Sequence, residues 1–193
     1  QYFNDFVTKH RERLIRAIAY LERVDYLCAN AYNAAKHRFV RPTITNSEES
    51  HVRCEALRHP IIEHVQHSVK YVPNDVTLDA DTRGMILYGI NAAGKSSLMK
   101  SVGIAVIMAQ SGMFVAANRF EFRPYDSVFT RILNVDNLYK RQSTFTAEMS
   151  ELRTILQCAT SRSLVIGDEL CSGTESVSAV ALVTAGITHL ARR

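Results

Sequence analysis

The chain has 193 residues, 47% of them hydrophobic and 22% charged, with 23 Lys and Arg against 19 Asp and Glu. That composition excludes a disordered chain and allows one proper core with a small appendage, while a formal charge of +4 argues neither for nor against nucleic acid as a partner. No apolar run approaches the roughly 18 residues of a membrane span, so a soluble globular chain without membrane contact is expected.

Over residues 5–37, Leu14, Ile18, Leu21, Val24, Cys28, Ala31 and Ala35 recur every three or four positions, which predicts a long amphipathic helix ended by Arg41-Pro42. Its cluster Lys9, His10, Arg11, Arg13 and Arg16 reads as a solvated face. Residues 43–50 are polar and predict an exposed loop. His59, His64 and His67 with Glu63 follow no zinc spacing and have no thiol pair beside them, so they are read as ordinary histidines. Cys28, Cys54, Cys158 and Cys171 also lack C-x-x-C spacing, which predicts free thiols in a reducing, intracellular compartment. The start, Gln1-Tyr2-Phe3-Asn4, is neither a signal peptide nor a methionine start, and the chain reads as a fragment.

Met85 to Tyr88 is an apolar run that predicts a buried strand. Directly after it, Gly89-Ile90-Asn91-Ala92-Ala93-Gly94-Lys95-Ser96 fits G-x-x-x-x-G-K-[ST], a loop whose backbone N–H groups cradle phosphates. Ser96 to Gln110 then carries Leu98, Val102, Ala105, Val106 and Ala109 at helical spacing, and the helix N-terminus adds roughly half a positive charge facing the loop. Lys95 would supply a full charge to the β- and γ-phosphates. The Ser96 hydroxyl suits Mg²⁺, and Ser97 is the weaker candidate. Gly94 allows close backbone approach, and Ala92 and Ala93 are expected to avoid left-handed dihedrals, which would cost about 1–2 kcal/mol.

Farther on, Phe120, Phe122 and Val128 alternate with polar residues as strands do, and Asn134 to Arg141 reads as a polar, mobile segment. Ser143 and Thr144 suit the start of a helix whose stripe is Met149, Leu152, Ile155, Leu156 and Ala159. Leu164-Val165-Ile166-Gly167-Asp168-Glu169 has the form of a buried parallel strand delivering two carboxylates at its C-terminal edge, where ligands of α/β sheets collect. Asp168 is assigned to the Mg²⁺ shell and Glu169 to polarising the attacking water. Ser172-Gly173-Thr174-Glu175 resembles a capping box, followed by Val177, Val180, Ala181, Thr184, Ile187 and Leu190 as the inward stripe of a last helix.

Gln142-Ser143-Thr144-Phe145-Thr146-Ala147-Glu148-Met149 resembles the S-T-F-x-x-E-M segment of the MutS family of DNA mismatch-repair ATPases. Arg58-His59-Pro60, Tyr71-Val72-Pro73-Asn74-Asp75, Ala109 to Val115, Asp126 to Ile132, and Asp168-Glu169 followed by Gly173-Thr174 agree with that family in order, over roughly residues 14 to 190. The resemblance implies an α/β P-loop NTPase of ABC type, with a mostly parallel central sheet flanked by helices and a long helix before it. It implies ATP and ADP with Mg²⁺ as cofactors, with Lys95 and Glu169 as catalytic residues. Gly89, Asn91, Ala92, Ala93, Gly94, Lys95, Ser96 and Ser97 would surround the phosphates. Tyr71 would lie against adenine, and His59 would have a structural or nucleotide-adjacent role. Ser143 would approach the nucleotide of a partner subunit, identical or related, in a head-to-head dimer. Residues 1–41 correspond to a helical stub of the family's core and lever region, and 42–193 to an ATPase domain that stops before the family's later strand and histidine loop, which His189 does not replace. Mismatched or damaged DNA would be bound by parts of the full protein outside this chain. Ile90, Ala93, Ser97 and Leu170-Cys171-Ser172 depart from the usual pattern and place the chain nearer the branch of large DNA viruses and octocoral mitochondria. Two other functions share these motifs: a nucleotide-controlled dimerisation module with negligible turnover, and the nucleotide domain of another ABC-type ATPase.

Overall fold

The computed structural model describes residues 2–65, 70–132, 144–168 and 175–192. Helix α1 (Tyr2–His37) has 36 residues and is therefore about 54 Å long. The predicted helix forms, but its predicted stripe does not dock: Leu14, Ile18, Leu21, Val24, Cys28, Ala31 and Ala35 are all exposed. The side facing the body is instead Tyr26, Asn30 and Ala34. Tyr26 Oη donates to Ser111 O at 2.7 Å, and Asn30 donates to Gly112 O at 3.1 Å while accepting from Phe114 N at 3.2 Å. These partners cap carbonyls left open where the next long helix ends, so polar matching decides which side of α1 is held. The helix stops at His37, ahead of Arg41-Pro42, because Arg38 turns left-handed (φ 55°) and Phe39 N–H returns to Ala34 O at 3.0 Å.

Four strands form the larger sheet in the order β1 (Thr43–Ile44), β4 (Arg119–Arg123), β2 (His51–Leu57) and β3 (Asn74–Leu78). Only β1–β4 is parallel there; β4–β2 and β2–β3 are antiparallel. The expected mostly parallel central sheet is thus corrected to a mixed one. Val52, Cys54, Phe120 and Phe122 point into the core while Arg53, Glu55 and Arg119 face out, a one-sided pattern that antiparallel strands tolerate and parallel strands rarely show. Parallel pairing recurs in a separate pair, β5 (Ser127–Arg131) with β6 (Ser163–Gly167), in register from Ser127 opposite Ser163 to Arg131 opposite Gly167. Asp126 staples the start of that pair, accepting from Thr160 Oγ1, Ser127 Oγ and Ser163 Oγ. Those bonds, with Thr160 the strongest, hold its carboxyl below the usual range.

Met85 to Tyr88 is not a buried strand. Ile86 is 73% exposed and Tyr88 95%, and no described segment pairs with them, so apolar character alone has not drawn the run inside. Short helix α2 (Ile62–Val65) is started by buried His59, whose Nδ1 accepts from Ile61 N and Ile62 N, both at 3.2 Å.

Helix α3 (Lys95–Gln110) buries Val102, Ala105, Val106 and Ala109 in one core with Val52, Phe120, Phe122, Leu164 and Ile166. Its direction is set by two contacts. At its last residue, Gln110 donates to Tyr125 O at 3.2 Å and accepts from Tyr125 N at 2.8 Å, just before β5 begins. At mid-helix, a Cβ on Gly103 would stand 2.8 Å from Ile166 Cδ1, near the end of β6. Moving back along α3 therefore means moving forward along β6, and the Lys95 end of the helix lies at the edge from which Asp168 emerges.

This close approach yields a test. Gly103→Ala sets a helix-propensity gain of about 0.5–1 kcal/mol against displacement of one methyl group and is expected to be near neutral. Gly103→Val adds bulk the buried Ile166 cannot escape, and is expected to cost about 1–3 kcal/mol, seen as a lower urea midpoint at unchanged slope.

Helices α4 (Thr144–Cys158) and α5 (Ser176–Ala191) complete the chain. In α4, Ile155 is buried, as is Ala159 just past its end, matching the predicted stripe. In α5 only Leu190 of the predicted stripe is partly buried: Val177, Val180, Ala181, Thr184 and Ile187 are exposed, and buried Gly186 with the half-buried Ala179, Leu182, Val183 and Leu190 faces inward. The helix is apolar nearly all round, so periodicity could not choose a face; Gly186 against Leu152 of α4 chose it. The capping-box expectation also shifts, since Glu175 is the N-cap itself (φ −58°, ψ 140°) rather than a residue inside the first turn. Ser172, Gly173, Thr174 and the segment Asn134 to Arg141 lie outside the described residues.

Candidate functional site

The loop from Gly89 to Gly94 leads straight into α3. Gly94 is left-handed (φ 91°, ψ 9°), and its carbonyl starts the helix by accepting from Leu98 N at 2.9 Å. Ala92 is left-handed as well (φ 64°), contrary to expectation. Closing the loop requires this turn, with Ala93 N returning to Ile90 O at 3.3 Å, and the constraint outweighs the Cβ penalty. Ala92→Gly should therefore relieve about 1–2 kcal/mol of strain and lose about 0.4–1 kcal/mol to a looser unfolded chain, for a net gain of about 0.5–1 kcal/mol by equilibrium denaturation.

Lys95 curls back over the loop, and Nζ donates to Gly89 O and Ile90 O, both at 2.8 Å. The ammonium thus sits on the loop that precedes it in sequence, the place from which it can serve a phosphate. Ser96 and Ser97 follow in the first turn, both half-buried, whereas Asn91, Ala92 and Ala93 are exposed.

The second motif arrives at the same edge. Asp168 is the first residue past β6, half-buried, with its N–H on Arg131 O at 2.7 Å. From Gly103 to Lys95 is about 12 Å of helix, and from Ile166 to Asp168 about 7 Å of strand, in the shared direction already derived. The Ser96 hydroxyl and the Asp168 carboxylate are both hard oxygen donors, a pairing that fits Mg²⁺. Glu169 lies outside the described residues, as do Ser143, His67 and Cys171.

Tyr71 comes to α3 about two turns beyond the loop. Its hydroxyl donates to Ser101 Oγ at 3.1 Å, because the Ser101 proton goes to Ser97 O at 2.7 Å. His59 is beside Lys100, and burial, followed by that lysine, pushes it below the ordinary histidine value. As an acceptor at Nδ1 it starts α2, which is the structural half of what was expected of it. Among the described residues no cluster of His, Cys, Asp or Glu could hold a metal in the manner of a zinc site, and Cys28, Cys54 and Cys158 are free thiols.

Sequence reading missed three contributors: Gly103, Ser101, and the ion pairs of Arg131 with Glu148 and Glu151. Only Gly103 carried a local signal, a glycine inside an otherwise good helix.

Residues 85–193 match the family profile described as MutS domain V. The chain is 37% identical over 185 residues to a mitochondrial DNA mismatch repair protein mutS homolog of Sarcophyton glaucum, covering 94% of this chain and 19% of that protein. A mutS homolog of Acanthamoeba polyphaga mimivirus is 33% identical over 222 residues, covering 96% and 20%. The DNA mismatch repair protein MutS of an Exiguobacterium strain is 42% identical over 185 residues, covering 95% and 21%. This chain belongs to the MutS family. It spans about a fifth of the length of these relatives, and an octocoral mitochondrial and a viral homolog stand among them. No described helix is long and apolar enough to cross a membrane.

Proposed function

We propose that this chain is the ATP-binding and hydrolysing part of a MutS-like mismatch-repair protein, of P-loop ABC type, in which ATP turnover and dimerisation set the state of a DNA clamp. The supporting observation is the antiparallel packing of α3 on β6, which brings the Lys95 end of one motif and the Asp168 end of the other to one edge. In this reading the N–H groups of residues 89–96 and the Lys95 ammonium hold the triphosphate. Ser96 and Asp168 hold Mg²⁺, which supplies charge neutralisation on the phosphates. Glu169 accepts a proton from the attacking water, and Tyr71 flanks the base. Ser143, which precedes α4 in the sequence, serves the nucleotide of a partner subunit, identical or related. Residues 1–41 form the helical stub of a core and lever region, and 42–193 the ATPase domain. Mismatched or damaged duplex would be bound by the parts of the relatives to which this chain does not align.

The test is equilibrium binding of a fluorescent ATP analogue with Mg²⁺ and with EDTA. Wild-type chain should bind at least about tenfold more tightly with Mg²⁺, and Asp168→Asn should erase that difference while keeping Mg²⁺-free binding, since a charged oxygen contact is worth about 1.5–3 kcal/mol. Absence of nucleotide binding by the wild-type chain would refute the proposal.

A further inference from the structure

Arg131 is the last residue of β5, and its main chain and side chain face different jobs. Its carbonyl accepts the Asp168 N–H at 2.7 Å, the first bond past the β5–β6 ladder. Its guanidinium, whose side chain is only 12% exposed, reaches α4: one nitrogen lies 3.1 Å from Glu148 Oε1 and another 2.8 Å from Glu151 Oε2. A third donates to Ile132 O at 3.2 Å. Glu148 and Glu151 are three residues apart on α4 and so share one side of it, where a planar fork can engage both. Glu148 is buried and Glu151 exposed, which makes Glu148 the anchor and Glu151 the steadying partner.

One residue therefore ties the backbone that carries the Asp168 carboxylate to the first half of α4. A buried guanidinium–carboxylate pair contributes little net stability, because desolvating both charges offsets most of their attraction. Its value lies in fixing geometry. We infer that Arg131 is a positioning residue for the proposed ATPase: through Glu148 and Glu151 it locks the end of β5 to α4, and through its carbonyl it sets where Asp168 presents its carboxylate to Mg²⁺. The inference rests on the proposed function and gives a role to a residue outside both the phosphate loop and the Asp168-Glu169 pair.

The experiment compares nucleotide affinity with Mg²⁺ and with EDTA in three variants whose fold is checked by circular dichroism and melting temperature. Arg131→Lys keeps a buried positive charge but cannot span two carboxylates, and Arg131→Met/Glu148→Gln removes both charges of the buried pair together, leaving Glu151, which is exposed, to water. Arg131→Lys, and the double variant judged only where its melting temperature stays at the wild-type value, should keep wild-type affinity in EDTA and lose at least about fivefold of the Mg²⁺-dependent gain. Glu151→Gln, which removes only the exposed partner, should fall between them and wild type. An unchanged Mg²⁺-dependent gain in Arg131→Lys overturns the inference, and so does an equal fall with and without Mg²⁺, which marks a merely structural residue. If the wild-type chain binds no nucleotide, the proposed function fails and this inference with it. If wild type and Asp168→Asn behave as proposed while the Arg131 variants match wild type, this inference alone fails.

Discussion

Glu169→Gln is expected to slow single-turnover ATP hydrolysis by about 10²–10⁴-fold while leaving nucleotide affinity within about threefold of wild type. The amide keeps the size of the carboxylate and its ability to hydrogen-bond water, but it cannot take a proton. Binding should survive because, in the proposed site, the triphosphate contacts would come from the loop, Lys95 and Ser96, which the substitution leaves alone. Asp168, immediately before it in sequence, is anchored by its N–H to Arg131 O at the end of the β5–β6 pair. The measurement is phosphate release from a stoichiometric ATP complex, with binding checked separately on the same preparation. Equal rates in the two proteins would remove Glu169 from this role. Together with intact nucleotide-driven association, equal rates would favour a dimerisation module in which turnover is incidental.

Lys95→Met should weaken ATP binding by about 10–150-fold, the value of a charged hydrogen bond of about 1.5–3 kcal/mol. Methionine keeps most of the apolar stem, so the loss reports on the ammonium. The substitution also frees Gly89 O and Ile90 O, which Nζ now serves, but both sit in an exposed loop where water can replace it. Stability should therefore change by less than about 1 kcal/mol. Titration of the fluorescent analogue measures the affinity, and urea denaturation measures the stability. A variant that binds as tightly as wild type would show that the lysine stays on the loop carbonyls and never reaches phosphate.

Much of the candidate site could be proposed from the chain because the chemistry it would use is local. A phosphate loop needs glycine, lysine and serine at set spacing, and a carboxylate edge needs an apolar run ending in acid; both were written in order, with helices near the right places. Three local readings failed for one shared reason. Met85 to Tyr88, the α1 stripe and the α5 stripe are apolar, and apolar residues say that burial would be favourable without saying what will cover them. On α1 two hydrogen-bonding side chains, Tyr26 and Asn30, outcompeted the stripe for contact with the body. On α5 a glycine that lets Leu152 approach decided the face.

What the residues alone determined was the family, through a set of motifs that marks MutS, and they named candidates for its chemistry: a loop of the phosphate-binding pattern and hard oxygens of the kind that suit Mg²⁺. The tertiary structure decided the rest. It set the parallel or antiparallel sense of the strand pairing, put Ala92 in a left-handed turn, and aligned α3 against β6 so that Lys95 and Asp168, some seventy residues apart in sequence, lie toward one edge. Spacing along a chain records which groups are near each other within a turn or two, whereas convergence across such a distance depends on packing: a missing Cβ at Gly103, a methyl of Ile166 filling the gap, and an arginine whose partners lie on another element.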